Sequence, residues 1–438
     1  MRTKRRICIR EHGFLIDGDF NESHSIEEKA TDANSVGVPK SAFSYLRSLI
    51  QDEPQGEDFS PFLKLTTYKR KTALKVQNYV GVLQTPCGTV IEVLPKLHPG
   101  TEETEERTRH LLIKMLRCLR DTPFKQANNA NIRDAKMPLL EVYISQFLAI
   151  TNQLVKRGIR SDYIRQQTNS QFLKGRLLVS QQIRKNLVAP THFAIERDEY
   201  LVNRPANRLI KLTLELIRQT SQVAQNQRLA RELCFVFEEV PASTDIIGDF
   251  QKVKLSRSMS YYQEVLSWCQ LLLNGLGPTA SMGSFNTLSL LYPMERIFED
   301  YVAYCLKQNI ESYFGKGAAL KTQSSKHSLV EEHAGKRLFN LKPDLLVHID
   351  KKANCVMDTK WKLIDASDRN NKYGISQADM YQLYAYGHKY LSGNKAKELM
   401  LIYPKTEKFS QPLPVFNFEE GLALRVVPFD LELGKLIL

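Results

Sequence analysis

With 438 residues, 42% hydrophobic and 25% charged, the chain is long enough for two or three domains and is unlike a disordered, fibrous or disulfide-stapled protein. Its 61 Lys and Arg against 48 Asp and Glu give a formal net charge of +13, which suits a polyanion such as nucleic acid and equally suits solubility alone. The seven cysteines form no CxxC pair, Arg10 and Glu11 interrupt any leader-like apolar stretch, and no apolar run reaches membrane-spanning length. A reducing cytoplasm is the expected setting, with no membrane partner.

In chain order, Leu65–Tyr68, Tyr79–Leu83 and Thr89–Leu94 are period-2 and rich in β-branched and aromatic residues, with Pro86-Cys87-Gly88 as a turn, which predicts strands and hairpins. His98-Pro99-Gly100-Thr101 breaks the pattern, and Glu102 to Glu106 suit the first turn of a helix, so a boundary is expected near residue 100. Apolar stripes at helical spacing then run through Leu111–Leu119, Leu139–Leu154, Leu209–Ile217 and Tyr262–Leu273, predicting a mainly helical middle. Basic clusters at Lys156-Arg157-Gly158-Ile159-Arg160, Lys174-Gly175-Arg176 and Arg184-Lys185 fit phosphate contacts or a solvated face alike. Gly275 to Ser284 is the best linker in the chain. Beyond it the pattern predicts a helix over Met294–Gln308, strands near Leu338–Ile349 and Cys355–Trp361, a helix over Gln377–Tyr390 and a strand over Glu398–Tyr403. The expected architecture is multidomain α+β, with domains at 1–100 (β-rich), 101–280 (helical) and 281–438 (α/β).

The last segment carries the chemistry. Lys342-Pro343-Asp344 precedes the apolar run Leu345 to Ile349, and Cys355-Val356-Met357-Asp358-Thr359-Lys360 follows a short polar turn. Adjacent strands would bring Asp344 and Asp358 together, with Lys360 on the face of Asp358 because side chains two apart in a strand point the same way. Phosphodiester hydrolysis uses hard oxygen ligands for Mg²⁺ and a cation beside the developing charge. The spacing resembles the PD-(D/E)xK nuclease pattern, although charged residues at strand ends are common. The helix from Met294 could deliver Glu299 or Glu295 to the same metal, Glu299 being the favoured one. Ser376 could cap a helix carrying Asp379, Gln382 and Tyr386; the last two share a face, where they either reach a phosphate or brace the core. Tyr381, Tyr384, Tyr386 and Tyr390 are expected to pack rather than to stack on bases.

The run Tyr292-Pro293-Met294-Glu295-Arg296-Ile297-Phe298-Glu299-Asp300-Tyr301-Val302, with Lys342-Pro343-Asp344, Asp358-Thr359-Lys360-Trp361-Lys362 and Ala378 to Tyr386, resembles the McrC family. Asn78 to Val82, Glu92 to Lys96, Leu173 to Leu177, and Glu196-Arg197-Asp198 with Asn207-Arg208 extend the resemblance from about residue 65 onward; the first 58 residues lie outside it. The resemblance implies the nuclease subunit of a GTP-dependent restriction system that cuts DNA containing modified cytosine. It implies a restriction-endonuclease-like C-terminal domain, with Asp344 and Asp358 binding Mg²⁺ (or Mn²⁺), Lys360 completing catalysis, and Glu299, Gln382 and Tyr386 assisting. The first two domains would then dock on an McrB-like AAA+ GTPase ring. The sequence has no GxxxxGK[ST] loop, so GTP would be bound by that partner alone. HExxH, GxSxG and GxGxxG are absent as well. A non-cleaving adaptor of a motor and a nuclease acting alone are the competing readings.

Overall fold

The computed structural model describes residues 6–18, 35–51, 62–97, 102–120, 123, 137–188, 191–255, 257–274, 289–350, 352–392 and 397–438. The chain divides into two compact units, one formed by 1–136 with 276–438 and the other by 137–275.

The first unit begins with β1 (Arg6–Arg10), β2 (Phe14–Asp17), β3 (Ser35–Val38), α1 (Lys40–Gln51), β4 (Leu63–Tyr68), β5 (Lys71–Val76), β6 (Tyr79–Gln84), β7 (Val90–Leu94) and α2 (Glu102–Leu116). One sheet runs β3-β2-β5-β4, and its β4–β5 hairpin turns on Lys69 and Arg70, both at positive φ as a two-residue turn matched to strand twist requires. The apolar side chains that make these strands alternate, among them Leu15, Val38, Leu74, Val76, Ile91 and Val93, pack with Leu46 of α1 into one core. Glu92 is buried in β7 and held by Arg6 and Arg109, the ion pairing that makes a buried carboxylate tolerable. The turn residues His98 to Thr101 lie outside the described residues.

The second unit comprises α3 (Leu139–Arg157), β8 (Asp162–Ser170), β9 (Arg176–Leu177), α4 (Val179–Asn186), β10 (Phe193–Leu201), α5 (Pro205–Thr220), α6 (Ala224–Val236), α7 (Ile246–Lys252) and α8 (Ser260–Asn274). Helices dominate it, as the apolar stripes predict. The antiparallel sheet β8-β10-β9 departs from that expectation. Its strands read Asp-Tyr-Ile-Arg-Gln-Gln-Thr-Asn-Ser and Phe-Ala-Ile-Glu-Arg-Asp-Glu-Tyr-Leu, too polar and irregular for a period-2 signal. Residues 275–284, the expected linker, lie outside the described residues.

The chain then returns to the first unit with β11 (Ser289–Pro293), α9 (Met294–Phe314), β12 (Ala319–Thr322), β13 (His327–His333), β14 (Lys336–Leu341), β15 (Leu345–Ile349), β16 (Lys352–Thr359), α10 (Gln377–Tyr390), β17 (Lys397–Pro404), β18 (Phe416–Asn417), β19 (Leu422–Asp430) and β20 (Lys435–Leu436). The main sheet runs β12-β15-β16-β17-β19-β18, with β20 beside β19. β16, β17 and β19 are parallel, and α10 is the crossover between the first two. Their continuous apolar runs, such as Leu399 to Tyr403, suit strands buried on both faces.

Two expectations are corrected here. Residues 281–438 do not stand apart from 1–100: β11 pairs with β6 to give the sheet β1-β7-β6-β11, and α2 packs on β7 and α9. The turn residues and acidic run near residue 100 mark the start of a helix, not the end of a unit. The single strand expected over 338–349 is two strands, β14 and β15, separated by Lys342-Pro343-Asp344, where the residue before proline is pushed from regular pairing and the proline lacks a donor. The result is a mixed α+β fold of several sheets. No described helix is long and apolar enough to cross a membrane.

Candidate active site

β15 and β16 are antiparallel, with Leu345 opposite Met357, which brings Asp344, just before β15, to the end of β16 where Asp358 and Thr359 lie. Thr359 donates both its backbone N–H (2.8 Å) and its Oγ1 hydroxyl (2.7 Å) to Asp344 Oδ2, fixing that carboxylate. Asp358 is 1% exposed. Lys360 Nζ lies 2.6 Å from Asp358 Oδ2, a buried ion pair. The Lys360 backbone N–H donates to Ile402 O at 2.9 Å, carrying the ladder onto β17 and setting the lysine at the sheet's edge of order. These residues line a cleft of about 580 Å³ together with Glu295, Glu299, Arg120, Arg296, Gln323 and Gln382.

Burial raises the carboxyl pKa of Asp344, against the two Thr359 donors. It raises that of Asp358 further, and the negative charge of Asp344 adds to the effect. Burial pulls the Lys360 ammonium down, but Asp358, Asp379 and Asp344 outweigh it, so the lysine stays charged.

α10 supplies the lysine's other partners. Ser376 accepts from Asp379 N as the N-cap, as the sequence predicts, and the helix then carries Gln382 into the cleft. Lys360 Nζ donates to Gln382 Oε1 (3.1 Å), Gln382 Nε2 donates to Tyr386 Oη (2.7 Å), and Tyr386 Oη donates to Lys342 O (3.0 Å). Tyr386 is therefore a buried brace behind Gln382 and does not line the cleft. Tyr390 is buried too, and Tyr384, though partly exposed, packs against His388 and Phe418; the expectation that all four tyrosines pack fails for Tyr381, which is 65% exposed on the helix's other side.

Glu299 and Glu295 both line the cleft. Glu299 Oε1 accepts from Arg120 Nη2 (3.0 Å) and Gln323 Nε2 (2.6 Å); its carboxyl pKa is raised, by burial first and then by the charge of Asp344. Glu295 Oε1 accepts from Asn78 Nδ2 at 2.5 Å. Among the described residues, no group of three His, Cys, Asp or Glu side chains is disposed to hold a metal ion. What is present is a pair of hard carboxylates lining one cleft, and this donor set fits a divalent cation bound through Asp344 and Asp358.

Three residues escape sequence reasoning. Arg120 donates to Glu299 and, through Nε (2.5 Å) and its backbone N–H (3.1 Å), to Asp300. Gln323 precedes Asp344 by a whole hairpin, and its N–H donates to Asp344 O at 3.0 Å. Glu11, in the turn after β1, accepts from Trp361 Nε1 (2.8 Å) and Lys96 N (2.9 Å), tethering the residue next to Lys360. No local pattern announces any of them; they are contributed from far along the chain. The basic clusters at 156–160, 174–176 and 184–185 belong to the second unit.

Fold and cleft together define a multi-sheet α+β protein with a buried site of carboxylates and one lysine. The chain belongs to the McrBC 5-methylcytosine restriction system component family, whose sequence model matches residues 74–404. No curated protein matches it in sequence. Among solved structures it is similar to a chain of the half-complex from the tetradecameric assembly of Thermococcus gammatolerans McrB AAA+ hexamers with bound McrC. The TM-score is 0.65 at 18% identity, covering 97% of this chain and 94% of that one. At that identity the likeness is one of fold. A chain of the cryo-EM structure of the Thermococcus gammatolerans McrBC complex overlaps at TM-score 0.48 and 19% identity, over 70% of this chain and 88% of that one.

Proposed function

We propose that the chain is the Mg²⁺-dependent endonuclease component of a GTP-driven restriction system that cuts DNA containing modified cytosine. Its site would be of PD-(D/E)xK type on a restriction-endonuclease-like sheet. The observation that carries this reading is the convergence of Asp344, Asp358 and Lys360 in one cleft. Membership of a 5-methylcytosine restriction family supports the substrate.

Asp344 and Asp358 would hold the cation, which when bound supplies Lewis-acid polarisation of the phosphodiester and eases deprotonation of water. Asp358 is buried and its pKa is raised further by the charge of Asp344, an arrangement that a divalent charge relieves. Thr359 orients Asp344 through two donors. Lys360, held between Asp358 and Gln382, keeps its proton and sets a positive charge where the phosphate gains negative charge on attack. Tyr386 keeps Gln382 in place, and Arg120 with Gln323 holds Glu299 at the cleft wall.

GTP hydrolysis is assigned to a partner, because the sequence lacks a phosphate loop. An McrB-like AAA+ ring is that partner in this reading; the structurally similar chain comes from a complex of such hexamers with McrC. The second unit offers a surface suited to docking. Val179 and Ile183, four apart on α4, and Leu187 at its C-terminal cap are all exposed, beside Arg184 and Lys185.

The test is cleavage of supercoiled, cytosine-methylated plasmid with Mg²⁺, GTP and the GTPase. Native protein is expected to cut only in the complete mixture, Asp358→Ala to abolish cutting, and Lys360→Ala to slow it about 10²–10³-fold while GTP hydrolysis is retained. Native protein that never cuts yet still accelerates the partner's GTP hydrolysis would replace this reading with that of an adaptor.

A further inference from the structure

Between Gln323 and Asp344, both walls of the cleft, the chain leaves the main sheet as a two-stranded ribbon, β13 paired with β14. The strands join through Ala334-Gly335, both at positive φ, so the tip is a tight turn without a bulky loop. Residues 331–340 are all exposed. At roughly 3.3 Å per residue, the seven residues of β13 give a finger about 23 Å long.

Its base is fixed to the cleft. Tyr390 Oη lies 2.9 Å from Ser324 O and 2.8 Å from Leu341 O, one on each strand's root, and the His327 ring packs edge-on against Tyr390. Gln323 N–H donates to Asp344 O across the neck. The finger therefore stands at the rim where Asp344 enters the site.

The side chains it displays favour one occupant. Lys326, Lys336, Arg337 and Lys342 are exposed along it, and of its two acids Glu331 is already ion-paired with Lys389 of α10 at 3.1 Å. Phe339 is 71% exposed and held at φ +56°, a conformation rare for an aromatic residue, and Leu329 is 52% exposed. The major groove of B-DNA admits a two-stranded β-ribbon, and cationic side chains on such a ribbon replace the counterions of the phosphates.

We infer that the β13–β14 ribbon is a DNA-binding finger that enters a groove of duplex DNA and seats the strand in the cleft. Lys336 and Arg337 contact phosphates, and Phe339 makes an apolar contact within the groove. The inference rests on the proposed DNA substrate.

The test is fluorescence anisotropy of a labelled methylated duplex with the full chain, alone and with its GTPase partner, in Ca²⁺ so that binding is read without cutting. Lys336→Gln with Arg337→Gln is expected to weaken binding and to reduce the slope of log affinity against log salt by about 1.8, two phosphate contacts' worth. Phe339→Ser is expected to weaken binding without changing that slope. Because the substituted side chains are exposed, all variants should match native thermal unfolding. Native affinity and native salt slope in both ribbon variants would overturn the finger. A native chain that never binds duplex DNA would overturn the proposed function, and the finger with it.

Discussion

Glu11 is buried with Oε1 engaged and Oε2 without a hydrogen-bond partner, and burial raises its carboxyl pKa from 4.5 to about 7. The folded chain thus holds this proton more tightly than the unfolded chain does. Stability from this group is full below pH 4.5, falls as pH rises toward 7, and stays low above it. Glu11→Gln keeps an acceptor for Trp361 Nε1 and Lys96 N but removes the charge. It is expected to be more stable than native protein at pH 8 by on the order of 1–3 kcal/mol, with the gain absent near pH 4, as read by denaturant unfolding at both pH values. At this scale Asp344, Asp358 and Lys360 were legible because strand spacing alone juxtaposes them. Arg120 and Gln323, which line the cleft, and Glu11, which holds Trp361 beside it, were not, because each is brought there by tertiary pairing that leaves no local trace.

The elements that place the site depend on close backbone approach. Gly81 in β6 has φ +133°, and a Cβ there would stand 1.9 Å from Leu290 O of β11. Gly81→Ala must therefore part the β6–β11 pair as well as adopt a conformation that L side chains avoid. A loss above about 2 kcal/mol is expected, seen as a lower denaturation midpoint. Element type was readable where apolar periodicity is strong, as in α9, α10 and β17. It failed where polar sequence forms strands, as in β8 and β10, and where proline splits an apolar stretch, as between β14 and β15. The split at Lys342-Pro343 is what releases the ribbon from the main sheet.

For the molecule as a whole, the contacts that define units are long-range, and composition near residue 100 could not reveal that α2 turns back onto β7. Residues 137–275 have their own core and are expected to fold alone with a cooperative thermal transition, whereas 281–438 alone should be insoluble because β11 loses β6 and Trp361 loses Glu11. Circular dichroism and solubility of the two segments check this. The β6–β11 pairing also sets an order in time. A ribosome adding about 5–20 residues per second needs roughly 10–40 s to pass from β6 to β11, some two hundred residues later. For that interval the edge of β6 waits unpaired while the inserted unit emerges and folds. Asp358 and Lys360 are translated later still, so the candidate site is absent throughout that interval.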